Sequence, residues 1–411
     1  MIPSSATLDD MLVCMACTTN PHLKTWIEAN GVQGACGFCG SEGQPVVHVA
    51  GFVDHVDSVI RRNYSPDDEN GDVAASVIST VAGISRGLAS LVTNVTRDDE
   101  TPGNSFYDYG PLALRGRWPH EHLDRWQQLK QVVKHEARFL GSATRPILDT
   151  LLGGLDGFCG GVPIRELTAE NVVFRGRLAR SHREADEWFK APVNNLNAPP
   201  RDKATAGRMN GAGIRVFYGA LQERIAVAEL RPPIGSHVVV GSFAPTRALR
   251  IVDLGVLREP SEYEDMFSPR FEEVSTRLAF LQMLEQEISL PVQPHDQELE
   301  YITTQLVAEY VGVVLGLDGV AYRSAQVGEV PFPGQIAGPT LGPTERNVVL
   351  FGTAAMTTSD SPEAVHPGLA FVPGSAQMLD VTKIEVSYRQ NMWAHYQDPP
   401  IEGDEEGTQT L

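Results

Sequence analysis

Cys14, Cys17, Cys36 and Cys39 are spaced C-x2-C-x18-C-x2-C. This pattern restricts the first part of the chain more tightly than any other feature. A tetrahedral zinc site needs four thiolates about 2.3 Å from the metal, and two tight turns joined by one loop supply them. Gly37 and Gly40 ease the second turn. Residues 11–44 hold few apolar side chains, so a bound metal would contribute on the order of 10 kcal/mol to folding this module. Four protein ligands leave no open coordination position, so the expected ion is structural Zn2+. Lys24 is the one fixed positive charge between the two cysteine pairs. A folding staple is therefore expected rather than a nucleic-acid grip. The fifth cysteine, Cys159, has no histidine nearby in sequence and reads as a small buried or loop residue. An odd count in a chain whose start lacks signal-peptide features argues against a disulfide framework.

The 411 residues exceed what one core usually serves, so two domains are the default expectation. The net charge of -19 repels nucleic-acid phosphates and anionic membrane over most of the surface. Any such ligand would need a local basic pocket, and neither nucleic acid nor membrane is expected as a partner. No apolar run approaches ~20 residues, the length that spans a bilayer. "MIPSSATLDD" lacks the basic start and apolar centre of a signal peptide, which points to the cytoplasm.

Texture then divides the chain. The four-cysteine module occupies 1–45. Residues 46–158 carry helical spacing in "DVAASVISTVAGISRGLASLV" and "HLDRWQQLKQVVKHEARFLGSATRPILDTLL". From 159 to 395 short β-branched and aromatic runs take over: "NVVFRGRLA", "IRVFYGAL", "HVVVGSFA", "LRIVDL", "GVAYRSA", "RNVVLFG" and "TKIEVSYRQ". Two helical stretches, "RFEEVSTRLAFLQMLEQEI" and "ELEYITTQLVAEYVGVVLG", interrupt them without regular alternation. The fold class is thus α+β rather than a doubly wound sheet. Residues 396–411 form an acidic tail expected to be disordered.

Several motifs lose to plainer readings. Arg115 and His120, and Arg117 and His122, have the R-x4-H spacing of HEPN ribonucleases, but Pro119 interrupts any shared helix. "GISRG" around Ser85 lies in a helical pattern with no strand before it, unlike a nucleophile elbow. "GRMNGAG" lacks the following Lys-Ser/Thr of a phosphate loop.

Glu229 is harder to dismiss. It ends "QERIAVAE", predicted as a helix after the strand "IRVFYGAL", at the edge of a face shared by Leu221, Ile225 and Ala228. A carboxylate there is costly unless paired, hydrogen-bonded or at a cleft. Arg175 sits in a predicted strand, Arg208 in a glycine-rich loop, Tyr218 at a strand end and Ser324 after "GVAYR". Spacing alone leaves each of them an ordinary structural residue.

Together, "VFRGRLA", "AGRMNGAGIRVFYGALQERIAVAEL", "HVVVGSFAPTRALRIVDL", "ELEYITTQLVAEYV", "LDGVAYRSA" and "NVVLF" resemble the RES domain, named for shared arginine, glutamate and serine residues. The region before it is similar to HEPN/RES N-terminal domains. The resemblance implies an ADP-ribosyltransferase-like fold and a toxin that destroys NAD+, some members by phosphorolysis to nicotinamide and ADP-ribose 1″-phosphate. It carries Arg175, Arg208, Tyr218, Glu229 and Ser324 over as the site, with NAD+ as substrate and inorganic phosphate as co-substrate. An ADP-ribosyltransferase, an NAD+ glycohydrolase or a catalytically silent zinc-ribbon adaptor are the alternatives. An antitoxin or other regulatory protein, or a second copy of the chain, are the implied partners.

Overall fold

A computed structural model of the protein describes residues 11–95, 106–116, 119–161, 163–258, 264–289, 297–324, 326, 345–359 and 366–384. The expected acidic tail, Arg117 and the side chain of Cys159 lie outside these residues. The class is mixed α+β, as expected, with eleven α-helices among the described residues.

The chain begins with β1 (Leu12–Cys14), α1 (Pro21–Asn30), β2 (Val32–Gly34) and β3 (Gln44–His48), the strands forming an antiparallel sheet in the order β1-β3-β2. Proline starts α1, and Asn20 caps it, Oδ1 accepting the His22 and Leu23 N–H groups at 3.0 Å each. Leu23 and Ile27, one turn apart, are fully buried. They pack on α2 (Val49–Asn63), α3 (Ala74–Ala82) and α4 (Arg86–Val95), in a core with Phe52, Val56, Ile78 and Leu88.

The apolar pattern over 72–92 reads as one helix but forms two. Gly83 closes α3 with φ +59, and a Cβ there would lie 2.2 Å from Thr19 Oγ1. The break leaves Ser85 at the start of α4, where Oγ accepts the Leu88 N–H at 3.3 Å. It is a helix cap. The ladder β4 (Tyr64–Pro66) and β5 (Leu112–Leu114) follows, then α5 (His120–His135) and α6 (Arg145–Leu152). Arg115 lies beyond the end of β5, its Nε donating to the Tyr64 carbonyl at 2.6 Å, while His120 opens α5. The two do not share a helix.

The large sheet has nine strands among the described residues. They are β6 (Ile164–Leu167), β7 (Val173–Ala179), β8 (Phe217–Ala220), β9 (His237–Pro245), β10 (Leu249–Asp253), β11 (Gly319–Arg323), β12 (Arg346–Leu350), β13 (Leu369–Phe371) and β14 (Gln377–Asp380). Their order is β13-β9-β7-β8-β12-β11-β10-β6, with β14 also beside β9. Only β10 and β11 pair in parallel in this set. A parallel pair needs a long crossover, and the chain between them supplies α10 and α11 below. Of the last expected strand, "TKIEVSYRQ", residues 382–384 carry no strand and the rest lies outside the described residues. Strand β14 lies just before it, with Gln377 opposite Val240.

The helices among these strands are α7 (His182–Lys190), α8 (Pro192–Leu196), α9 (Glu223–Ala228), α10 (Phe271–Ser289) and α11 (Gln297–Glu309), the last running into a π-turn at Tyr310–Val314. Strand alternation sorts the core into two faces. Val252, Val320, Tyr322 and Val349 meet α5, α6, α10 and α11 in one cluster. Ile251, Ala321, Val348 and Leu350 join Trp188 and Leu196 in another. With both faces covered, the strands read as continuous apolar runs.

Segment 264–270 ties this body to the N-terminal module. Met266 and Phe267 pack on the N-terminal core, and Asn20 Nδ2 donates to Asp265 Oδ2 at 2.7 Å. His55 stacks on Trp26 at 4.3 Å and meets Phe267 at 6.0 Å.

Candidate active site

Strands β7 and β8 pair at one position, Phe174 opposite Ala220. Gly219 allows that contact, since a Cβ there would meet Val173 Cγ1 at 2.5 Å and the Phe174 carbonyl at 2.8 Å. Beyond it a cavity of about 210 Å³ opens, lined by Arg175, Tyr218, Glu229, Tyr322 and Asn347 with small neighbours. Arg175 holds the cleft: its Nη1 donates to the Tyr218 carbonyl at 2.8 Å, and its guanidinium lies 5.1 Å from the Phe217 ring centre. Its Nε is buried without a hydrogen-bond partner. Burial first, then Arg177, pulls its pKa down to about 10, so it is still cationic at neutral pH. β7 runs between β9 and β8, so Arg175 is not on an edge strand.

Glu229 sits just past the end of α9, where Pro232 and Pro233 stop the helix from continuing. Its Oε1 accepts from Ser324 Oγ at 2.6 Å and from Asn347 Nδ2 at 2.8 Å. The side chain remains open to solvent, which leaves the carboxylate accessible to a ligand. Ser324, 2% exposed, is brought to it by the end of β11. Arg231, two residues on, has φ +47, a left-handed value costly for a residue other than glycine and common beside functional sites.

Tyr218 is fixed rather than free. Its hydroxyl donates to Asn210 Oδ1 at 2.8 Å and accepts the Met209 N–H at 2.9 Å. Burial raises its pKa to about 12, so it stays a neutral phenol. Those contacts lock the "GRMN" turn against β8. Arg208 in that turn lies 5.2 Å from the Tyr301 ring centre, while Thr304 Oγ1 donates to its carbonyl at 2.6 Å. Tyr322 reports on the whole arrangement. Burial raises its pKa most, Glu229 and Tyr218 raise it further, and Arg208 lowers it. Glu229, Tyr218 and Arg208 therefore all lie within electrostatic reach of one phenol.

Of the five residues singled out from sequence, Arg175, Tyr218 and Glu229 line this cavity, Ser324 joins them through its hydrogen bond to Glu229, and Arg208 lies beside Tyr301 in the turn that Tyr218 holds. Asn347 and Tyr322 were missed. A signal existed for Asn347, the only polar side chain between Arg346 and Phe351 in an apolar strand. Tyr322 reads as an ordinary core aromatic. Removing the Asn347 amide as Asn347→Ala should lower turnover roughly tenfold, in line with loss of one hydrogen bond to a charged group. Steady-state kinetics at saturating substrate would check this, and unchanged kcat would remove Asn347 from the site.

The four cysteines converge independently of this cleft. Sγ separations are 3.9 Å for Cys14–Cys17, 3.4 Å for Cys14–Cys39 and 3.6 Å for Cys17–Cys36, and all four sulfurs lie within 4.8 Å of one another. A zinc tetrahedron with 2.3 Å bonds has edges of about 3.8 Å, so the sulfurs fit that ion. Hydrogen bonding by the Ser41 side chain and backbone lowers the Cys39 pKa to about 6, whereas burial pushes the Cys14 and Cys17 thiols up.

Fold and site together define an α+β domain with a cationic cleft and one hydrogen-bonded carboxylate at its mouth. Residues 177–370 match the family model of the RES domain. The family is associated with NAD+-processing activity. Arg208, Tyr218, Glu229 and Ser324 fall inside the matched span, and Arg175 lies just before it. No curated protein and no solved structure matches the chain. No helix among the described residues is long and apolar enough to cross a membrane.

Proposed function

We propose that the protein cleaves the nicotinamide–ribose bond of NAD+. The observation that carries this reading is the Glu229 carboxylate, held by Ser324 and Asn347 at a cleft that also contains Arg175. In NAD+ the leaving group is already cationic. When the C1″–N bond breaks, its electron pair returns to the pyridine nitrogen and the ribose becomes oxocarbenium-like. Glu229 would hydrogen-bond the ribose hydroxyls and set negative charge beside that cation. Preorganised charge of this kind commonly contributes about 3–4 kcal/mol. Arg175 and Arg208 would take the diphosphate or an incoming phosphate through forked donors. Ser324 and Asn347 keep the carboxylate aimed, and Tyr218 would pack against the nicotinamide-side ribose.

The cavity of about 210 Å³ is smaller than the ~300–1,000 Å³ usual for a whole ligand. It suits the nicotinamide-ribose end, with the adenosine end lying along the surface. Attack of a phosphate oxygen on C1″ gives ADP-ribose 1″-phosphate, whereas water gives ADP-ribose and a proton. Phosphorolysis, an ADP-ribosyltransferase-like fold and a toxin role rest on the family resemblance. The same holds for a restraining antitoxin or regulatory protein; self-association and a cytoplasmic location are proposed alongside it. Structural zinc in the cysteine module belongs to the same reading, supported by the sulfur geometry.

Purified protein incubated with NAD+, with and without phosphate, tests it. Mass spectrometry should show nicotinamide with ADP-ribose 1″-phosphate only when phosphate is present. ADP-ribose in both mixtures would make it a glycohydrolase. Intact NAD+ in both would leave a silent adaptor.

A further inference from the structure

We infer that Glu285 and Ser289 are positioning residues that hold Ser324, and through it the catalytic carboxylate of Glu229, in place. The inference rests on the proposed function of that site, but the observation behind it is separate. Helix α10 buries Val274, Leu278, Leu281, Leu284 and Ile288, and Glu285 lies among them at 0% exposure. Leucine would be the expected residue at such a position. A buried carboxylate is retained at a cost that its hydrogen bonds must offset.

One of those hydrogen bonds comes from the end of β11. Strand β10 stops at Asp253, paired with Ala321, while β11 continues to Arg323. β10 no longer runs alongside those last residues. There α10 takes over: Glu285 Oε1 accepts the Arg323 N–H at 3.2 Å, and Ser289 Oγ lies 3.1 Å from the Arg323 carbonyl. Ser289 Oγ is also 3.2 Å from Glu285 Oε1, so its single proton is shared between the two acceptors. Two side chains one helical turn apart thus grip both polar groups of a single residue. The next residue is Ser324, whose hydroxyl donates to Glu229. On its other side Arg323 pairs with Arg346, the neighbour of Asn347, which is the second donor to Glu229. The clamp therefore fixes the strand end from which one donor springs and keeps it in register with the strand carrying the other.

Glu285→Leu tests this, because leucine suits the surrounding core and the helix. The expected result is a folded protein with kcat for NAD+ cleavage reduced about 10- to 100-fold, the scale of a misplacement near 1 Å, and KM changed far less. Glu285→Gln, which keeps an acceptor, should restore kcat to within about threefold. Hydrogen exchange gives a readout independent of NAD+: the Arg323 amide should exchange at least tenfold faster in Glu285→Leu, with β9 amides unchanged. If that variant fails to fold, Ser289→Ala serves, with Ser289→Thr as its rescue. Wild-type kcat together with an Arg323 amide still protected in Glu285→Leu would overturn the inference. Wild-type protein inert towards NAD+ would instead overturn the proposed function, and the Arg323 amide would still decide whether the clamp orders this strand end.

Discussion

Replacing Glu229 by glutamine is expected to reduce NAD+ consumption by about 10²–10³-fold, equivalent to roughly 3–4 kcal/mol of transition-state stabilisation, while the melting temperature stays within a degree or two. The two halves of this result have separate causes. Glutamine keeps an oxygen that can accept from Ser324 and Asn347, the two groups that hold Glu229 in the resting protein. Fold and local geometry are therefore preserved. What disappears is the charge, and the charge matters only once the ribose becomes cationic. The defect should accordingly fall on kcat rather than KM. A variant that turns over at the wild-type rate would exclude Glu229 from the chemistry, whatever the cleft around it looks like.

The second large effect concerns the cysteine module. Exchange of Cys14 or Cys36 for serine, or stripping with a strong chelator, should remove one zinc per chain and unfold the sheet built from β1, β2 and β3. Cys14 and Cys36 are the two most buried of the four, at 0% and 4% exposure. Loss of the ion withdraws on the order of 10 kcal/mol from a segment with little core of its own. Elemental analysis of the purified protein and a thermal melt followed by circular dichroism would register it. A protein that purifies without metal and melts unchanged would show that the four sulfurs are a cluster of free thiols.

These sites were legible in the sequence to different degrees. The cysteine spacing was enough for the metal cluster, because each tight pair presents its sulfurs together whatever the rest of the chain does. The strands "HVVVGSFA", "LRIVDL" and "RNVVLFG" were equally plain, being short β-branched runs between turn residues. The break at Gly83 was not: glycine is tolerated in helical patterns, and the reason for this one is the approach of Thr19, distant in sequence. The cleft was readable only through the order of several motifs. Nothing in "AVAEL" or "YRSA" announces that Glu229 and Ser324, 95 residues apart, meet at 2.6 Å. Asn347 and Glu285 escaped for the same reason. Asn347 is one polar residue in an apolar run, Glu285 is one of several polar residues in "LQMLEQEIS", and the purpose of each is visible only in what it meets.

The packing of α5 and α6 bears on where the working unit of this protein begins. Trp126, Leu129, Leu148 and Leu151 sit in one cluster with Val252, Leu278, Leu281 and Val349. Trimming the chain to the span that resembles other proteins would strip those side chains away and leave one flank of the nine-stranded sheet's cover facing water. The region upstream of the RES match is thus part of the wall that the large sheet leans on, and an expression boundary drawn by likeness alone would cut through that wall.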